Sequence, residues 1–80
     1  MKIPVIKKLV ETYTIEELQA AEEAIIHEQP LPLEIEGSDE GEQLTHAIAA
    51  IWILERMKDS NADFKTALRE YTHKVRESLN

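Results

Sequence analysis

Apolar residues recur at helical spacing in four stretches of the chain. In the first, Ile6, Leu9, Val10 and Tyr13 share one face, which predicts a short helix over residues 4–12. Pro4 suits its first turn, where a missing N–H is no loss. The second opens at "TIEE": Thr14 can cap, and Glu17 three residues on completes a capping box. Ile15, Leu18, Ala21, Ile25 and Ile26 form its stripe, and it must stop before Pro30, which pushes Gln29 to extended geometry. The third runs from Asp39 or Gly41 to Lys58 after a cap at Ser38. The fourth opens at "SNAD", where Ser60 and Asp63 make a second capping-box pattern with Asn61 as the alternative cap. Phe64, Ala67, Leu68, Tyr71, Val75 and Leu79 then repeat along one face.

Between the second and third helices the pattern changes. Pro30 and Pro32 forbid regular helix, and Leu31, Leu33 and Ile35 alternate with Pro32, Glu34 and Glu36. That is the period of an extended segment with one apolar face. A lone strand makes no sheet, so this segment lies flat against helices, pairs with residues 1–3, or pairs with its own copy at an edge.

The third helix is apolar on every side. Leu44, Ile48 and Ile51 share one face. Ala49, Ala50, Ile53 and Met57 lie opposite, with Trp52 and Leu54 on the flanks. A helix of this kind is buried all round. In a chain of 80 residues, which hides only about 60–65% of its unfolded surface, the expected cover is a second copy. Ala50, Ile53 and Met57 are the predicted self-association face of a homodimer. The alternative is a single copy with Trp52 and Ile53 under the 31–35 segment.

Composition adds limits. There is no cysteine, which removes disulfides and thiolate metal sites and fits a reducing, cytoplasmic setting. Lys7 and Lys8 interrupt the apolar stretch a secretion signal needs, and the longest apolar run, residues 47–54, is far short of the ~20 that span a bilayer. The expectation is one cytoplasmic domain with no membrane segment.

The net charge of −7 argues against nucleic acid, since phosphate binding needs a basic footprint. Its layout says more. Residues 11–42 hold eleven acids and no Lys or Arg, residues 1–10 hold three lysines and no acid, and residues 43–80 hold six bases and five acids. Either these regions complement each other inside the fold, or the acidic block faces a basic partner protein. In the second case Glu36, Asp39, Glu40 and Glu42 form its lip.

The stretch "EIEGSDEGEQLTH" raises a question of chemistry. Glu42 and His46 are spaced i, i+4 on the face that also carries Ile53, and such a pair can chelate a divalent metal, with Glu34, Glu36, Asp39 or Glu40 adding oxygens. The spacing lacks the second histidine of H-E-x-x-H and the D-x-D-x-D-G of a calcium loop. The plainer reading places the acids at a helix start, where they suit the dipole. In that reading Gly37 and Gly41 ease the turn, and His46 is a rim residue hydrogen-bonded to Glu42. His27 stands at a helix end four residues after Glu23. His73 lines up with Lys65, Arg69 and Arg76 in a basic stripe that can pair with the acidic second helix or take an anionic partner. No nucleophile and no glycine-rich phosphate loop occurs.

The stretches "KIPVIKKLVETYT", "EGSDEGEQLTHAIAAIWI" and "DFKTALREYT" together resemble a family of short, all-helical bacterial proteins catalogued as a domain of unknown function. The resemblance covers nearly the whole chain. It implies a helical, cytoplasmic, bacterial protein and assigns no catalytic residue. The reading is an all-α single domain of about four helices, non-enzymatic and without cofactor, which self-associates and presents an acidic surface. A metal site on Glu42 and His46 is the rival.

Overall fold

A computed structural model describes residues 1–78, which form four helices: α1 Ile3–Thr12, α2 Ile15–Ile26, α3 Glu40–Ser60 and α4 Phe64–Ser78. Leu79, the last apolar position expected on α4, lies outside the described residues. The architecture is the small all-α bundle that the periodicity predicts.

Each helix starts where a side chain or a proline makes starting cheap. Pro4 stands in the first turn of α1. At α2 the Thr14 hydroxyl accepts from the Glu17 amide at 3.1 Å, and the Glu17 carboxylate accepts from the Thr14 amide at 2.9 Å. This is the capping box expected from "TIEE". The other two caps fall one and three residues later than expected. Asp39, not Ser38, caps α3 by accepting from the Glu42 amide at 2.8 Å. Asp63, not Ser60, caps α4 by accepting from the Thr66 amide at 2.8 Å. Ser60 belongs to the last turn of α3, where its hydroxyl donates to the Arg56 carbonyl. A carboxylate is favoured over a hydroxyl in both places because its charge also suits the positive end of the helix.

Helix α2 ends in a Schellman motif. The Gln29 amide donates to the Ala24 carbonyl at 2.8 Å and the Glu28 amide to the Ile25 carbonyl at 3.2 Å. This requires Glu28 in the left-handed region, at φ 54°, a conformation that disfavours a residue with a Cβ. Helix α3 ends similarly on Asn61, at φ 55°.

Helix α3 is the hub, and α1, α2 and α4 each pack on it. Ala47, Ala49 and Ala50 on α3 and Ala67 on α4 have no exposed surface. Small side chains at these positions leave room for neighbouring backbones. Ile6, Leu9, Leu18 and Ala21 complete the core from α1 and α2. Trp52 is half-buried beside Tyr71 of α4, ring centroids 5.6 Å apart and tilted by 54°, a geometry that suits the ring quadrupoles.

The single chain itself covers most of the expected self-association face. Ala50 and Ile53 are 0% exposed within the single chain, and Met57 is half-buried against the same core. Ala50 and Ile53 face the chain's own interior, and Met57 keeps part of its surface open. Three helices and the connector suffice to enclose α3, because alanine takes up three of its inward positions. The one large apolar α3 side chain left open is Ile48, at 42%.

The 30–39 connector is not a strand and pairs with nothing, yet the alternation holds. Leu31 and Leu33 are half-buried and Ile35 is buried, while Pro32, Glu34 and Glu36 are exposed. The segment lies flat on the helices, as one of the expectations had it.

Candidate functional site

The connector is strapped to α3 by three side chains from the first two turns of that helix. Gln43 Nε2 donates to the Ile35 carbonyl at 3.0 Å. His46 Nδ1 donates to the next carbonyl, that of Glu36, at 2.8 Å. The Glu42 carboxylate accepts from the Ser38 amide at 2.8 Å and from the Ser38 hydroxyl at 3.3 Å. Between these ties Gly37 crosses α3 at close range: a Cβ there would sit 2.8 Å from Gln43 Cγ and 2.9 Å from the Gln43 backbone nitrogen. Its φ is not positive, so the glycine serves close approach rather than the eased turn expected for it.

His46 is 0% exposed. Its Nε2 accepts from the Lys2 amide at 2.9 Å. A carbonyl can only accept and an amide N–H can only donate, so the two partners fix the ring as the neutral Nδ1–H tautomer. The expected Glu42–His46 hydrogen bond is absent; each side chain holds a different part of the connector. His46 is therefore not a rim residue. The sequence did carry the signal, because His46 shares a helix face with Ile53, which is equally buried.

Over this ring opens a cleft of about 520 Å³, lined by Lys2, Val5, Ile35, Glu36, Glu42 and His46 among others. The Met1 ammonium stands 3.6 Å from Glu42. Hydrogen bonding from Ser38, above all from its amide, holds the Glu42 carboxyl below the ordinary glutamate range. The metal reading gains nothing from this geometry. Both nitrogens of His46 are engaged within the chain. Among the described residues no group of three His, Cys, Asp or Glu side chains is placed to hold a metal ion.

The other acids of the lip lie at the surface: Glu36, Asp39 and Glu40 are exposed and Glu42 is half-buried. Asp39 is occupied as a cap, and Glu40 borders a second cleft of about 370 Å³ beside Gln43, Pro30 and Leu31. One salt bridge joins two of the charge regions among the described residues, that of the Met1 ammonium with Glu42. Among the described residues the acids of 11–42 pair only with His27, through Glu23, and with the Met1 ammonium, through Glu42. Arg56 pairs with Glu70 at 2.8 Å, and that contact raises its guanidinium above the ordinary arginine value. His73 pairs with Glu77 on its own helix. Of the α4 stripe only His73 is paired among the described residues, and its partner lies on α4 rather than on α2.

No described helix is long and apolar enough to cross a membrane. No curated protein and no solved structure matches the chain. A family model described as a family of unknown function (DUF6952) matches residues 1–80. That match extends the resemblance carried by "KIPVIKKLVETYT" and "EGSDEGEQLTHAIAAIWI" to the full length. The chain belongs to this family of unknown function.

Proposed function

We propose that the protein is a non-enzymatic interaction module of the bacterial cytoplasm that offers an acidic surface to a basic protein partner. One observation carries this reading: the acidic block of residues 11–42 has no Lys or Arg side chain at salt-bridge distance among the described residues. A concentration of like charge left uncompensated costs stability through self-repulsion and is useful for steering an oppositely charged molecule. The connector adds support, because its ties to α3 fix the chain at Glu36 and Asp39 beside Glu40 and Glu42 of the helix. A rigid rim loses less conformational freedom on binding. The lack of cysteine fits a reducing compartment. Self-association is not needed to cover α3.

The test is a titration of isotope-labelled protein with a Lys- and Arg-rich peptide, followed by amide chemical shifts. The reading expects shifts confined to the connector and the outer face of α2, weakening as salt is raised. The connector shifts vanish in a Glu36→Gln, Asp39→Asn, Glu40→Gln variant, in which asparagine keeps the α3 cap. Shifts spread over the whole surface, or connector shifts retained in the variant, would remove it.

A further inference from the structure

The neutral His46 ring joins three separate pieces of chain. Its proton goes to Glu36 of the connector and its lone pair takes the amide of Lys2, the residue before α1. The Lys2 carbonyl in turn accepts from the amides of Val5 and Ile6, which closes the first turn of α1. We propose that His46 is a proton-operated latch: neutral, it clamps the connector and the start of α1 to α3, and protonated, it lets the start of α1 go while its Nδ1–H stays on the Glu36 carbonyl.

The reason is hydrogen-bond polarity. A proton on Nε2 turns the acceptor into a donor facing the Lys2 N–H, and two donors cannot share the site. The ring is fully buried, so no water is at hand to relieve the conflict without movement. The charged groups around the ring decide where it moves. The start of α1 presents the Lys2 ammonium and the Met1 ammonium, both repelling an imidazolium. The connector presents the Glu36 carboxylate and the Ser38 hydroxyl, and α3 itself presents Glu42, already held by Ser38. Neither α2 nor α4 contributes a residue to this cleft. Because the Met1 ammonium is itself paired with Glu42, the net push on a charged ring is away from the Lys2 amide, with its Nδ1–H kept on the Glu36 carbonyl. Release uncovers Val5 and Ile35, which are buried beneath the cleft. The latch is independent of whether the acidic surface binds a partner, because its readout is the protein's own backbone.

The experiment follows the ring and the backbone together by NMR as the full chain is taken from about pH 8 to about pH 5, across the range where imidazoles ordinarily change charge. The latch predicts that the amides of Lys2, Val5, Glu36 and Gly37 shift along the same curve as the His46 ring. Amide hydrogen exchange at Lys2, Val5 and Ile6 then rises roughly tenfold, the scale of one lost buried hydrogen bond. His46→Gln, which keeps a donor and an acceptor but no titration, lacks this curve, while His27→Gln and His73→Gln retain it. If His46→Gln fails to fold, the wild-type curves still decide. A ring that takes up its proton while these amides stay still overturns the proposal. So does a ring that stays neutral until the whole fold melts.

Discussion

Gly37 and Gln43 approach so closely that a single methyl group does not fit between them: a Cβ on Gly37 would fall 2.8 Å from Gln43 Cγ and 2.9 Å from its backbone nitrogen. Turning the Gln43 side chain relieves the first clash but not the second, because the second is with helix backbone. Gly37→Ala is predicted to destabilise the fold by about 1–3 kcal/mol, with the connector displaced from α3. Urea unfolding measures this, and a change under ~0.5 kcal/mol would mean that the connector gives way freely.

Glu28 has the opposite fault, a side chain where the backbone suits none. At φ 54° it closes the Schellman turn of α2. Glu28→Gly is predicted to raise stability by roughly 0.5–1 kcal/mol, the relief of the left-handed strain less glycine's greater freedom when unfolded. A loss of stability on thermal unfolding would show that the Glu28 side chain contributes something the strain argument omits.

Ile53 and Ile48 sit on one helix at opposite extremes of exposure, 0% and 42%. Ile53→Glu forces an unpaired carboxylate into the core, a cost on the order of 4–5 kcal/mol, comparable to the whole stability of a small domain. It should unfold the chain, whereas Ile48→Glu should leave the circular dichroism spectrum and melting temperature nearly unchanged. A folded Ile53→Glu variant with altered mass in sedimentation would restore that face as an interface.

Acid should loosen the starts of α3 and α4. Hydrogen bonds from Ser38 hold Glu42 below its ordinary range, and hydrogen bonds from Thr66 do the same for Asp63. A carboxyl depressed in the folded state stabilises the fold in full above its unfolded value, ~4.3 for Glu and ~3.9 for Asp. The contribution disappears as the pH falls through the lower folded value. Stability should therefore decline below about pH 4, less steeply in Asp63→Asn, which keeps a capping oxygen without a titration. Identical acid limbs for the two proteins would show that the α4 cap carries no such linkage.

The helices were legible because their signals are local. "TIEE" contains both halves of its capping box, and the Leu31, Leu33, Ile35 alternation shows in burial even without a strand. What escaped depends on chain crossing. Nothing near Gly37 announces that it passes over Gln43, and the Lys2 amide that meets His46 lies 44 residues away. The pattern around Ala50 and Ile53 predicts outside cover because an apolar helix shows how much must be buried, not by what. The acidic block was plain in the sequence, but its lack of Lys or Arg partners became visible only once α4 was seen to pair with α3 and with itself.

The clamp at His46 is the one tie that joins the connector and the start of α1 to α3 together. Its most direct test is the nitrogen-15 spectrum of the His46 ring near neutral pH, with the unfolding free energy of His46→Ala beside it. The account predicts a proton on Nδ1 and a bare Nε2. It also predicts a loss of about 3–5 kcal/mol in the variant, from two orphaned backbone groups and a cavity. A ring carrying its proton on Nε2, or a His46→Ala variant as stable as the parent, would contradict it.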